Sequence, residues 1–419
     1  MRQAIWNLAG VGLCLLMCRA ALADGVFLDG LSARSIGRGG ANIAHSDNGS
    51  ILHDNPAGMM NIDGDVMFEV GGTMLFTDFN YSDPQNSRAS ISQLYAMPEF
   101  SFIKKSSDGN WAYGVGVFAP AGFGSRFEMD GPPGPLAGDQ LYKSFGTLGR
   151  VLPALSYQAT DRLAVGATLG VAVMVADLEG PHVIQNGPLT GTPTLIDLDA
   201  GGAALSWSVG LSYQLCDDTT LGMGYQSENR FKAHGTTHVE VPGLGESDYD
   251  TRMHITWPRS LGAGIRHELC PHRILSLDLI WYDWSSAFDE IGLRLSGSSS
   301  PFFPAINEQF PLNWRDSLST RVGYEILMDH GRTLRLGYVH HRVAIPAGTM
   351  TPYIPAALEH AFSTGYGWRM CGWNVDLAYM FSFGPTVDEN NSDFVGGDFD
   401  NSEHWDRTHA LALTLNRSW

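Results

Sequence analysis

The sequence predicts an all-β protein, a 14-stranded antiparallel transmembrane β-barrel with an N-terminal hatch (a plug) inside the lumen. Three observations point there. From residue 64 onward the dominant pattern is period two, in segments of about ten residues separated by turns, as expected of strands with one lipid-facing side. The chain ends in an alternating strand that stops on an aromatic, Leu411-Ala412-Leu413-Thr414-Leu415-Asn416-Arg417-Ser418-Trp419. An export leader precedes a chain in which no stretch reaches the ~18 apolar residues of a membrane helix.

Residues 1–23 read as a signal peptide. Arg2 supplies the basic start, Val11 to Met17 an apolar run, and Ala21-Leu22-Ala23 a small-residue cleavage site before Asp24. Leu15-Leu16-Met17-Cys18 imitates a lipoprotein site less well, because Met17 is too large beside the cysteine. An exported chain without a helical span is either soluble outside the inner membrane or a closed barrel, since only helices and closed barrels satisfy every backbone group in lipid. The formal net charge of −18 excludes a nucleic-acid binder, which needs a basic footprint. It suits a surface that meets lipopolysaccharide through divalent cations.

Residues 24–62 do not alternate and are rich in Gly, Ala, Ser and Asn. Their economical location is inside the barrel formed by 63–419. Strands are expected near 64–79, 94–104, 111–127, 145–158, 162–178, 201–215, 219–232, 251–269, 274–285, 314–327, 332–343, 360–369, 373–382 and 405–419. Short turns, such as Ser107-Asp108-Gly109 and Met328-Asp329-His330-Gly331, alternate with long connections at 80–93, 128–144, 179–200, 233–250, 286–313, 344–359 and 383–404. Short periplasmic turns and long outer loops are the usual asymmetry. Asp278, Arg321, Glu325, Arg335 and Asp376 fall on the face opposite their strands' apolar residues, hence on the lumen side. Cys216, Cys270 and Cys371 sit in three short turns on one side, free or with one disulfide among them.

Phe118-Ala119-Pro120-Ala121-Gly122-Phe123-Gly124 interrupts the third strand. A proline removes a ladder donor and glycines weaken a strand, so a bulge or kink is expected. Apolar residues gather in two outer loops: Phe127, Met129, Leu136, Leu141 and Tyr142 in one, Phe302, Phe303, Ile306 and Phe310 in the other. Such clusters mark contact sites and are candidates for a ligand groove; alternatively they pack on one another. No catalytic constellation, cofactor motif or metal site is read. Gly114-Val115-Gly116 precedes a proline, not a helix start. His340 and His341 are adjacent on a strand and point to opposite faces. The acid-rich stretch around Asp388, Asp393 and Asp406 lacks a regular calcium loop.

The segment Ser35-Ile36-Gly37-Arg38-Gly39-Gly40-Ala41, with Asn55-Pro56-Ala57-Gly58-Met59 after it, resembles the N-terminal hatch of the FadL family of outer-membrane long-chain fatty-acid and hydrocarbon channels. Asn55, Pro56 and Ala57 are its most specific mark. Asp278-Leu279-Ile280-Trp281-Tyr282-Asp283-Trp284-Ser285 and the proline-rich loop Pro346…Pro352…Pro355 resemble the family further on, so the likeness spans the mature chain. The terminal Trp419 resembles the aromatic that barrel assembly machinery reads. The resemblance implies a monomeric passive channel for hydrophobic small molecules, with no cofactor. It also implies a lateral opening at the strand kink, here Pro120, Gly122, Phe123 and Gly124. The family's fatty-acid channels carry a basic residue late in the fifth strand; here no Lys or Arg occurs from Leu163 through Asn229. Either Arg150, Arg321 or Arg335 anchors a carboxylate instead, or the ligand is neutral. A water-filled porin or a surface adhesin on the same barrel is the alternative.

Overall fold

The computed structural model describes residues 26–355, 357–397 and 399–419; the expected leader and its cleavage site lie outside them. The wall is a closed ring of fourteen antiparallel strands. In chain order they are β1 (Val66–Ser82), β2 (Leu94–Lys105), β3 (Trp111–Asp130), β4 (Asp139–Thr160), β5 (Leu163–Val183) and β6 (Pro193–Cys216). Four broken strands follow: β7 (Thr219–Gln226, Asn229–Val241), β8 (Gly245–Trp257, Ser260–Cys270), β9 (Arg273–Tyr282, Glu290–Ser296) and β10 (Ile306–Pro311, Ser317–Met328). The ring ends with β11 (Arg332–His340), β12 (His360–Met370), β13 (Trp373–Phe383) and β14 (Ser402–Ser418). Strand β14 pairs with β1 from Met67↔Ser418 to Ser82↔Glu403, so the sheet has no open edge.

Alternation explains the wall. Leu275, Leu277 and Leu279 are exposed while Ser276 and Asp278 are buried; Leu411, Leu413 and Leu415 are exposed while Ala412, Thr414 and Asn416 are buried. The exposed set forms the lipid belt. Asp278, Arg321, Glu325, Arg335 and Asp376 are all buried on the inner side.

Several segments expected to be loops are strand instead. Residues 233–250 form a hairpin between β7 and β8, with Val241 opposite Gly245. Strands β5 and β6 stay paired as far as Val183↔Pro193, and β9 and β10 pair again from Glu290↔Pro311 to Leu295↔Ile306. Here the alternation is inverted. Phe231, Ala233, Tyr249, Met253 and Ile255 are buried while Arg230, Lys232, His234, Asp250, Arg252 and His254 are exposed. The wall rises above lipid into water, so polar side chains face out and apolar ones face in. The three turn cysteines are exposed and free.

Inside the ring, residues 26–62 hold two short helices, α1 (Ala33–Gly37) and α2 (Ile51–Asp54), and a 3₁₀ turn at Pro56–Asn61. Ser32 caps α1 by accepting from Ser35 N–H at 3.3 Å.

Candidate functional site

The floor of the lumen is a polar seam between hatch and wall. Arg38 is fully buried. Its Nη1 donates to Glu325 Oε1 at 3.0 Å and to His45 Nδ1 at 2.8 Å; its Nη2 donates to Asp47 Oδ1 at 2.7 Å. Because a guanidinium only donates, His45 Nδ1 carries no proton, and its Nε2 donates to Ser276 Oγ at 2.6 Å. Arg335 bridges Glu325 and Asp376, each at 2.7 Å. Arg34 meets Asp376 at 2.7 Å and Asp47 at 3.8 Å. Three arginines and three carboxylates thus form a closed, charge-balanced ring. Asp278 accepts from the backbone N–H groups of Asn42 and Ile43 at 2.7 and 2.8 Å.

Close backbone approach explains the glycines. Gly39 has φ +67°, and a Cβ there would meet Tyr338 N at 2.9 Å. Asn55 ties the hatch to a different wall sector. Its Nδ2 donates to Ile43 O and Leu211 O at 2.8 and 2.9 Å, and its Oδ1 accepts from Ala57 N–H at 3.3 Å. Pro56 then starts the 3₁₀ turn, where its missing N–H costs nothing.

The third strand breaks where Pro120 falls. Pairing of β2 with β3 runs only from Lys105↔Ala112 to Glu99↔Phe118. Pairing of β3 with β4 slips between Phe118 and Ala121. Higher up, Ile91 N–H donates to Arg126 O at 2.7 Å, so the chain ahead of β2 meets β3 again there. Between these points β3 turns to the N-terminal segment. Leu28 N–H donates to Pro120 O and Gly122 N–H to Val26 O, both at 3.0 Å, around a bridge of Phe27 with Ala121. Phe27 thereby enters an aromatic nest, with ring centroids 5.1 Å from Tyr282, 5.6 Å from Trp284 and 5.7 Å from Trp257.

Two cavities meet at this break. The upper one, about 120 Å³, is lined mainly by apolar groups such as Met174, Ile196, Met253, Ile255, Trp257 and Leu293. Its polar lining comes from Asp177, His182, Gln185, Thr147, Thr349 and Thr351, with no Lys or Arg. The second, about 340 Å³, extends from Val26–Asp29 to Leu94, Tyr95 and Met97 on β2, beside the unpaired stretch. Phe123, Gly146 and Thr147 line both. Phe123 stands between the chambers.

The residues singled out from sequence are distributed as follows. Gly122, Phe123 and Gly124 line the second cavity. Phe127, Met129 and Tyr142 are buried with Phe79, Tyr81 and Tyr353 in a cluster of their own, and Leu136 is buried too. Leu141 is half-buried, Phe303 packs against the main apolar core, and Phe302 is 89% exposed. None of these seven lines either chamber, whereas Phe310 of the second loop lines the upper one and Ile306 is buried in the apolar core. Arg335 belongs to the ionic ring, and Arg321 pairs with Asp29 of the hatch at 3.2 Å. Arg150 is buried against neutral groups: Gln226 Oε1 at 2.5 Å, Asn229 Oδ1 at 2.9 Å and His53 Nε2 at 3.1 Å. The upper chamber's Met253, Ile255, Trp257 and Leu293 were missed. Their period-two signal exists, but its apolar phase faces inward.

The family model for outer membrane protein transport proteins (OMPP1/FadL/TodX) matches residues 14–418. Among solved structures, the Pseudomonas putida toluene transporter TodX has a TM-score of 0.75 at 20% identity, covering 94% of this chain and 100% of its own. The Ralstonia pickettii toluene transporter TbuX gives 0.73 at 20% identity, covering 94% and 99%. A Pseudomonas aeruginosa FadL homologue gives 0.75 at 17%, covering 94% and 100%. No curated protein matches the sequence.

Proposed function

The chain belongs to the FadL/TodX family of outer-membrane transport proteins, barrels that carry hydrophobic compounds and are not enzymes, and we propose that its own cargo is a small neutral hydrophobic molecule. An aromatic hydrocarbon fits better than a fatty acid. The observation that carries this reading is the upper chamber, apolar, free of Lys and Arg, and of a volume near that of an engineered cavity of ~150 Å³ that holds benzene. The toluene transporters TodX and TbuX among its structural likenesses support the same choice.

The geometry supports one route. Ligand enters the upper chamber from the outer loops and leaves water by the hydrophobic effect. It passes Phe123 into the second chamber as Val26 to Leu28 shift. It leaves sideways between β2 and β3, where the ladder is open at Leu94 to Pro98. No energy source is required, because ligand moves down its own gradient. The polar ring beneath blocks a straight path to the periplasm.

Uptake of labelled toluene and of a labelled long-chain fatty acid by cells with and without this chain tests the reading. Faster toluene entry with little change for the fatty acid is expected; a fatty-acid-only effect overturns it. Arg150, buried among neutral partners, favours a second reading in which a carboxylate sits beside it. In that case Arg150→Gln lowers fatty-acid uptake alone. A third reading, the water-filled porin, requires sustained ion current in planar bilayers.

A further inference from the structure

Strand β11 ends at His340 and β12 begins at His360, and these two residues are direct cross-strand partners. Directly paired residues project from the same face of a sheet. That face is the outer one: Phe362, two residues below on β12, is 54% exposed. Glu359, just before β12, adds a buried carboxylate. Its Oε1 lies 3.6 Å from His340 Nε2 and 3.5 Å from His360 Nε2, and the three ligand atoms are all within 4.8 Å of one another.

We propose that His340, Glu359 and His360 form a binding site for a divalent transition metal ion of the zinc type, at the outer rim of the barrel. Ligand bonds of about 2.0–2.2 Å in a tetrahedron place donor atoms roughly 3.3 Å apart, so small side-chain adjustments suffice. Two imidazoles and one carboxylate leave a fourth position for water. Nitrogen donors select zinc, nickel or copper over calcium or magnesium. His360 is already oriented: its Nδ1 is 2.9 Å from the Tyr338 hydroxyl. That bond directs Nε2 toward Glu359, as outer-sphere partners of metal-binding histidines do. Glu359 is 5% exposed and its ion-pair partners among the described residues are these two rings. A buried carboxylate calls for a compensating cation.

The site has a consequence for the channel. Residues 341–358 form the loop it would clamp. This loop supplies Thr349, Thr351, Tyr353 and Ile354 to the upper chamber and Pro355 and Leu358 to the second. An ion at its base fixes the roof of both.

Untagged full-length protein in detergent, stripped with a chelator, is titrated with Zn²⁺ against a colour-changing competitor. One ion per chain is expected, with Ca²⁺ failing to displace it. The double variant His340→Gln/His360→Gln and the single variant Glu359→Gln should lose that binding while keeping the heat-modifiable gel mobility of a folded barrel. Tyr338→Phe, which removes only the orienting hydroxyl, should weaken it about 10–100-fold. Failure of the wild type to bind Zn²⁺ stoichiometrically, or undiminished binding by the folded double variant, overturns the proposal.

Discussion

The membrane-level wall and the wall above it obey opposite rules. At β9, Leu275, Leu277 and Leu279 point out and Ser276 and Asp278 point in. Along the upper parts of β7 and β8, Lys232, Asp250 and Arg252 point out while Phe231, Met253 and Ile255 point in. The solvent outside each level decides. Lipid takes the apolar groups of the lower wall, leaving its polar groups to grip the hatch. Water takes the polar groups of the upper wall, leaving an apolar chamber. A greasy compartment therefore stands on a polar, ion-paired floor, beside the break at β3.

The largest effect is expected at the floor. Arg38→Leu leaves Glu325 to Arg335 and Asp47 to the more distant Arg34, three carboxylates against two cations, which costs about 3–5 kcal/mol where a buried pair is broken. Urea unfolding in detergent should show it, and a loosened hatch should admit ion current that the wild type does not pass. Retained stability and a silent bilayer would mean that the ring is not what holds the plug.

A matched pair of substitutions contrasts the two levels. Leu277→Arg puts a cation on the lipid face at a cost of about 2–4 kcal/mol. Asp250→Arg, exposed above the membrane, should stay within about 0.5 kcal/mol of wild type. Equal costs would remove the boundary between the levels.

Between these two falls Asn55→Ala. It frees Ile43 O and Leu211 O and removes the cap on Ala57, for a loss of about 1–3 kcal/mol. The smallest change belongs to the turn cysteines. Replacing all three by serine should leave unfolding unaltered, and each should react with a maleimide without denaturant.

The lower wall was legible because its alternation is apolar outward, as in Leu411 to Leu415, and because turns such as Met328-Asp329-His330-Gly331 punctuate it. The top of the upper wall, residues 233–250, was read as loop. From Ala233 to Asp250 the alternation continues on both sides of the turn, but its polar phase, His234, His238, Glu240, Asp248 and Asp250, suggests a solvated connection unless the wall is known to leave the membrane. The strand break could be read from Pro120 and the glycines after it, since a missing donor is a local property. That Val26 and Leu28 take up the hydrogen bonds β2 gives up could not, because nothing local links residue 26 to residue 121. The same holds for His340 and His360: the partner of a strand's last residue lies across a loop. Apolar loop residues such as Phe127 and Met129 were visible, but not whether they would line a cavity or fill one.

Side-chain bulk at Gly122 probes the proposed sideways outlet. A Cβ there would stand 2.9 Å from Gly146 O and 3.6 Å from Met97 Cε, within the second chamber beside the open stretch of β2. The decisive measurement is the initial rate of labelled toluene entry into cells carrying Gly122→Leu at wild-type levels of folded barrel. A severalfold fall in rate is expected if ligand leaves through the wall; entry as fast as with the wild type would show that it leaves by another way.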